Sequence, residues 1–173
     1  MRNTMRYKYL ALLVIIVSIA LGVSIYQPPA KTAQNAPETV SQPISKAPTA
    51  QELLTLVNTE RAKVGTRPLV MDERLNQSAQ AKADDMKANN YFGHVNPKTG
   101  KNGPTYVLDV ANGLCSYQSE NITQNIYENS SKRAVDAWIA SKNHYEAMIS
   151  SDYDLTGFGI ADNYIVEHFC DVE

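Results

Sequence analysis

The sequence predicts an α+β domain in which helices cover an antiparallel sheet. Its elements follow the order helix, helix, helix, strand, helix, hairpin, and this order lacks the regular alternation of a parallel α/β fold. The end of the chain alternates on either side of a tight turn at Asp162-Asn163, which is typical of a β-hairpin. The chain of 173 residues has room for one such domain and an appendage.

The appendage is N-terminal. Residues 9–26 are uncharged and mostly apolar, and Arg2, Arg6 and Lys8 precede them. In length, this run of about 18 residues falls between the apolar core of a secretory signal and a membrane span. Its small-x-small sites lie inside the run, so residues 1–26 are predicted to be an uncleaved signal anchor, with a cleaved signal peptide as the alternative. Either way the domain is exported, and it is anchored to the cell membrane or secreted.

Residues 27–49 are rich in Pro, Ala, Ser and Thr. They are predicted to form a disordered tether, because they cannot bury enough apolar area to fold. The folded domain then spans residues 50–173. The first 49 residues are net basic while the whole chain carries a net charge of −2, so this domain is acidic and it has no Lys/Arg cluster. Nucleic-acid binding needs a basic footprint, so that class of partner is excluded.

The first two helices have clear start signals. Thr49 and Glu52 form a capping box, and Gly65 is the expected stop of the first helix. Asp72 is a good N-cap for the second, whose apolar positions recur at spacings of four and three. The apolar positions of this second helix are Leu75, Ala79, Ala83 and Met86, and the residues outside that stripe are Arg74, Gln77, Lys82 and Asp85.

The helix before the hairpin carries the only tryptophan of the chain. A period of 3.6 residues puts Val135, Trp138 and Ile139 on one buried stripe. If the helix continues, Ser141 and His144 lie three residues apart on an adjoining polar edge. We expect this edge to face a cleft.

His94, Glu120 and His144 are the residues best suited to chemistry. Imidazole and carboxylate together can bind a divalent metal or exchange protons near neutral pH. Two histidines and a glutamate would suffice as the protein ligands of a catalytic zinc. The sequence has no local metal signature, so each of the three also has a structural interpretation, as a packed and hydrogen-bonded side chain.

Cys115 and Cys170 both lie in the exported part. An even number of cysteines in an oxidising compartment favours one structural disulfide, and the alternative is two buried free thiols. A bridge would close a loop of about 55 residues and contribute roughly 3 to 4 kcal/mol in the chain-entropy model. Neither cysteine has a second ligand at zinc-finger spacing, so a zinc-thiolate site is not expected.

Seven short motifs follow one another along the domain: Asn58-x-x-Arg61, Leu69 with Asp72-x-x-Leu75, Ala79 with Ala83, Phe92-Gly93-His94, Glu120-Asn121-Ile122, Trp138-x-x-Ser141-x-x-His144 and Gly157-x-Gly159. Their order resembles the CAP superfamily, which groups cysteine-rich secretory proteins, venom antigens and plant pathogenesis-related proteins with exported bacterial proteins. The resemblance covers about residues 50–170, and the form of the tryptophan motif is similar to the bacterial branch.

The resemblance implies a three-layer α-β-α sandwich with a central, mainly antiparallel sheet and a cavity lined by two histidines and two glutamates. Carried over by position, His94, Glu120 and His144 are three of these four residues. The fourth, a glutamate in other branches, is Ser141 here. One carboxylate fewer means less negative charge for a cation, which weakens the hypothesis that His94, Glu120 and His144 bind zinc.

His168 lies outside every motif. In the last strand it shares a face with Tyr164, Val166 and Cys170, so the sequence predicts a structural histidine, half-buried on the sheet.

The sequence favours a non-catalytic binding module, because no acidic partner for His144 completes a nucleophilic triad with Ser141. Its partner would be an extracellular lipid, peptide or cell-wall component, or another protein, and its N-terminal segment would contact the membrane. One alternative is a zinc-dependent hydrolase of peptides or cell-wall material. The other is a structural or adhesive surface protein.

Overall fold

The computed structural model describes residues 47–116, 118–124 and 130–172. They form the helices α1 Ala50–Lys63, α2 Glu73–Asn89, α3 Gly103–Ala111, α4 Ser131–Ile139 and α5 Lys142–Ile149, and the strands β1 Val70–Met71, β2 Gln118–Gln124, β3 Leu155–Ala161 and β4 Tyr164–Cys170. The predicted signal segment and all but the end of the predicted tether lie outside the described residues. Within the described ranges, no helix is long and apolar enough to cross a membrane.

The sheet is central and mostly antiparallel. Its strand order is β1-β3-β4-β2; the short β1 runs parallel to β3, and the other neighbours are antiparallel. One face packs against α2 and the other against α1, α4 and α5. The predicted hairpin is confirmed as β3 and β4, and Asp162 takes a left-handed φ of 53° in its turn. The three-layer α-β-α sandwich is also confirmed.

Helix α2 lies directly on β3 because two glycines leave room for it. A Cβ added at Gly157 would come within 2.1 Å of the main-chain carbon of Leu75, and one at Gly159 within 2.1 Å of that of Ala79. The side chain of Asn76 then accepts a hydrogen bond from the main chain of β3, at Phe158 N. This close contact brings the inner face of α2 over the middle of the sheet.

The N-caps of α1 and α2 are those the sequence predicts. Thr49 accepts from the main-chain N–H of Glu52, and Asp72 accepts from that of Arg74. Helix α2 ends at Asn89, and the residue that caps it, Asn90, has a left-handed φ of 50°, a conformation that asparagine tolerates.

The continuous helix expected through Trp138 and His144 is wrong. Helix α4 ends at Ile139, and α5 begins after Ser141, whose extended backbone (φ −106°, ψ 117°) interrupts the helical hydrogen bonding. Serine favours such a position at a helix start over a helix interior. Met148 on α5 is buried, whereas Ile139, the last residue of α4, is 38% exposed, so its predicted place on the buried stripe is wrong.

Cys115 and Cys170 form the expected disulfide, and the alternative of two free thiols is wrong. The bridge joins the segment before β2 to the end of β4, with 5.3 Å between the Cα atoms. It ties the edge strand β2 to the neighbouring β4 near the point where β2 begins.

Replacing both cysteines by alanine should lower the free energy of unfolding by roughly 3 to 4 kcal/mol, because the unfolded chain regains the entropy of a long loop. Chemical denaturation of the full chain measures this loss, and reductant should have the same effect on the unmodified chain. A loss below about 1 kcal/mol in the double variant would contradict the account.

Candidate functional site

His94 and Glu120 meet beside the edge strand β2. Glu120 lies on β2, and His94 lies in the loop that follows α2. The distance from His94 Nδ1 to Glu120 Oε1 is 2.8 Å. His144, in the first turn of α5, has its ring centroid 6.0 Å from that of His94.

His168 is the second partner of Glu120. Its Nε2 lies 3.0 Å from Glu120 Oε2, and its Nδ1 lies 2.7 Å from Ser78 Oγ on α2. The expectation of a half-buried histidine is therefore wrong, since His168 is fully buried. The register sets this contact, because His168 on β4 is paired directly with Glu120 on β2.

Ser78, His168, Glu120 and His94 thus form one hydrogen-bonded chain that crosses from α2 to the surface. The order serine, histidine, glutamate is that of a nucleophilic triad. Ser78, however, is fully buried, and its hydroxyl also lies 2.9 Å from the main-chain oxygen of Leu75. It holds the buried histidine in place and cannot reach a substrate.

Glu120 is an ionised carboxylate in a buried position. Its side chain is 4% exposed. Burial is the largest influence on its pKa and acts to raise it, but the hydrogen bonds from His168 and His94, together with the charges of His168 and Lys82, hold the pKa below its usual value. The first residue of α3 is Gly103, where an added Cβ would lie 2.9 Å from Glu120 Oε2. The positive end of α3 therefore lies beside this carboxylate and favours its charge.

Lys82 holds the loop that carries His94. Its Nζ donates to the main-chain oxygens of Gly93 and His94, at 2.7 and 3.1 Å, and to the hydroxyl of Tyr91 at 3.1 Å. Lys82 is fully buried, although the helical pattern places it outside the apolar stripe. Burial lowers its pKa, and the nearby charges of Glu120 and Asp85 oppose that effect. The apolar pattern cannot reveal a lysine whose charged end is satisfied inside the protein.

Asp85 supports the same loop one turn further along α2. It accepts hydrogen bonds from the hydroxyls of Tyr91 and Tyr106 and from Asn96 Nδ2. Burial acts to raise its pKa, but these hydrogen bonds hold the pKa below its usual value. The sequence does not show that Asp85 supports the loop, because Tyr91 and Tyr106 reach it from two different segments of the chain.

His144 is held in place by a hydrogen bond to its main-chain oxygen. Asn121, next to Glu120 on β2, donates from Nδ2 to the His144 carbonyl oxygen over 3.0 Å. Burial and the neighbouring His94 lower the pKa of His144. Ser141 precedes α5, and within the described residues no hydrogen bond joins its side chain to the cluster.

Among the described residues, no three His, Cys, Asp or Glu side chains are grouped so that they could hold a metal ion. Both oxygens of Glu120 face imidazole nitrogens, so this arrangement does not fit zinc. The hypothesis of zinc bound by His94, Glu120 and His144 stays a prediction from the sequence.

Comparison with known proteins decides the family. The family described as "CAP: Cysteine-rich secretory protein family" matches residues 54–169. The chain belongs to the CAP family. Two uncharacterized proteins of Bacillus subtilis strain 168 are similar to this CAP domain. YkwD is 32% identical over 76% of the chain, and the membrane protein YlbC is 33% identical over 69%. The matches span 50% and 33% of the length of these relatives.

Solved structures share the CAP fold. An extracellular protein with an SCP domain from Bacillus anthracis aligns with a TM-score of 0.65 at 24% identity, over 70% of this chain and 40% of that protein. An outer surface protein from Borrelia burgdorferi aligns with a TM-score of 0.62 at 23% identity, over 71% of this chain and 92% of that protein.

Replacing Lys82 with methionine should lower the free energy of unfolding by about 1 to 3 kcal/mol, because the part-buried carbonyl oxygens of Gly93 and His94 lose their donor. It should also change the imidazole NMR signals of His94. The matched control is Lys87→Met on the same helix, since Lys87 pairs with the exposed Asp162 at the surface. Equal losses in the two variants would show that Lys82 does not hold the loop.

Proposed function

We propose that this CAP domain is an exported, non-catalytic binding module that recognises its ligand through the cluster of His94, Glu120 and His144. The observation that carries this proposal is the different exposure of the cluster's members. Glu120 is buried and fully hydrogen-bonded, whereas the side chain of His94 is 52% exposed. The buried carboxylate orients an imidazole that remains open to a ligand.

The arrangement favours recognition over hydrolysis. A hydrolase needs a general base together with a nucleophile or an activated water. Glu120 uses both oxygens on histidines, and its pKa lies below the usual value, so it is a weak base. Ser78 is buried, and Ser141 has no hydrogen bond to a described histidine. Among the described residues, the cluster therefore has no nucleophilic side chain for its imidazoles to activate, and it offers hydrogen-bonding groups to a ligand.

The arrangement also favours recognition over a purely structural role. Ser78, His168 and one oxygen of Glu120 form a hydrogen-bonded network inside the protein, and the other oxygen of Glu120 pairs with His94. His94 extends that network to the surface, between Phe92 and Val95, which are 50% and 53% exposed. Such a site suits a ligand with both a hydrogen-bonding and an apolar part, such as a peptide, a lipid or a cell-wall component.

The domain is proposed to act outside the cytoplasm, held near the membrane by residues 1–26 and the tether 27–49. The apolar run at residues 9–26 supports the anchor. The disulfide supports an oxidising compartment. One relative is named a membrane protein, and one solved structure is named an extracellular protein, which agrees with this location.

Titration of the full chain with soluble cell-wall fragments, an unstructured peptide mixture or lipid bicelles should shift the imidazole NMR signals of His94 and His144 for at least one probe. The His94→Gln/His144→Gln double variant should lose at least about tenfold in affinity for that probe, because exposed hydrogen-bonding groups are replaced.

The matched control is Glu146→Gln, which changes an exposed residue on α5 and should leave affinity unchanged. If a probe binds the double variant as tightly as the unmodified chain, the ligand does not use this cluster. If no probe shifts either histidine while one binds elsewhere on the domain, the proposal is contradicted.

A further inference from the structure

The outer edge of β3 is closed by a helix rather than by a strand. β1 pairs with β3 only at Leu155 and Thr156, and the N–H of Asp72 then donates to Thr156 O over 2.9 Å. Within the described residues, no strand lies beside the rest of this edge. Phe158 and Ile160 therefore need other partners for their outward main-chain groups, because an unpaired group that is removed from water is costly.

Two amide side chains of α2 supply these partners. Asn76 Oδ1 accepts from Phe158 N over 2.9 Å, and Gln80 Oε1 accepts from Ile160 N over 2.9 Å. Gln80 Nε2 also donates to Ile160 O over 3.0 Å. Gln80 thus gives Ile160 both the acceptor and the donor that a residue of a neighbouring strand would give it.

The spacing of the two amides matches the spacing of the strand. Four residues of an α-helix rise about 6.0 Å, and two residues of a strand span about 6.6 to 6.8 Å. Residues four apart on α2 therefore meet main-chain groups two apart on β3. The close contacts of Gly157 and Gly159 have the same spacing, since they face Leu75 and Ala79. Helix α2 follows β3 in register.

An acidic residue one turn away on α2 orients each amide. Asn76 Nδ2 donates to Glu73 Oε2 over 3.1 Å, and Gln80 Nε2 donates to Asp84 Oδ1 over 3.1 Å. A flipped amide would turn its oxygen toward the carboxyl oxygens and its N–H groups toward the N–H groups of β3. The amide oxygens are therefore held toward the edge of β3.

Other registers of α2 would lose these bonds. A shift by one residue would turn both amides away from the edge of β3 by about 100°. A slide by four residues would bring Asp84 to Ile160 in place of Gln80. A carboxylate there would accept from Ile160 N, but it cannot donate to Ile160 O. The sequence of α2 thus favours a single register.

The other side of α2 holds the groups behind the cluster. The helical period puts the two amides on one side of the stripe that faces the sheet, and Ser78 and Lys82 on the other side. Ser78 Oγ lies 2.7 Å from His168 Nδ1, and Lys82 Nζ donates to the main-chain oxygen of His94 over 3.1 Å. A rotation or slide of α2 that broke the contacts on the first side would also displace those on the second.

From this geometry we propose that Asn76 and Gln80 are positioning residues for the cluster. They fix the rotation of α2 about its axis and its position along β3. Through Ser78 and Lys82 on the other side of the helix, they set where His94 is presented. The inference rests on the proposed function only in taking His94 as the residue that meets the ligand.

The first test uses the full chain without a ligand. Asn76→Leu/Gln80→Met keeps the approximate size of both side chains and removes their hydrogen-bonding groups. It should shift the imidazole NMR signals of His94 and His168, because α2 loses its fixed register. Signals that match those of the unmodified chain would show that packing at the two glycines of β3 positions α2 by itself, and would overturn the proposal.

The matched control is Gln77→Leu/Lys87→Met, which makes the same kind of change at two exposed positions of α2. It should leave the imidazole signals of His94 and His168 in place. Equal shifts in the control and in the test variant would also overturn the proposal, because any two apolar substitutions on this helix would then have the same effect.

Two single variants separate the hydrogen bond from the bulk of the side chain. Asn76→Leu and Asn76→Asp both lose the donor to Glu73, but only Asn76→Asp keeps an acceptor for Phe158 N. The imidazole signals of His94 should therefore shift in Asn76→Leu and stay near their original positions in Asn76→Asp. The proposal fails if the two variants shift these signals equally.

The second readout is affinity for the soluble cell-wall fragments, the peptide mixture or the lipid bicelles. A probe that binds at the cluster should bind Asn76→Leu/Gln80→Met at least about fivefold more weakly than the unmodified chain. Unchanged affinity for such a probe would contradict the positioning role. If no probe binds at the cluster, the binding proposal fails, and the ligand-free histidine signals still decide whether Asn76 and Gln80 position it.

Discussion

A buried carboxylate must be paired, and the candidate site is built around the pairing of Glu120. Its two oxygens accept from two histidines, His94 on a loop and His168 on the central strand β4. Removal of either donor would leave part of a charge unsatisfied in the interior, which costs far more than the loss of a surface hydrogen bond. This constraint fixes the orientation of His94, the exposed member of the cluster.

Much of the fold follows from local signals in the sequence. The N-caps of α1 and α2, the hairpin with its turn at Asp162, and the disulfide all depend on residues whose conformational or chemical preferences are strong. The resemblance to the CAP family adds the three layers and relates His94, Glu120 and His144. The same motifs include Gly157 and Gly159, and the structure shows that helix α2 packs against the main chain of β3 at these two glycines.

The remaining features depend on contacts between distant segments. Lys82 is buried, because the carbonyl oxygens of the His94 loop receive its charged end. His168 becomes part of the site through strand register, and the sequence shows that register only once the position of β2 beside β4 is known. The break at Ser141 is a balance between a helical pattern and a residue that favours helix starts, and periodicity alone does not decide it.

The pairing of Glu120 with His168 is tested most directly by a double-mutant cycle on the free energy of unfolding. The cycle compares Glu120→Gln, His168→Gln and the double variant in the full chain. We expect the two substitutions to be coupled by about 1 to 3 kcal/mol. Either substitution alone already breaks the hydrogen bond between Glu120 and His168, so the second has no such bond left to break. Losses that add to within about 0.5 kcal/mol would show that Glu120 and His168 act independently, and would contradict the account.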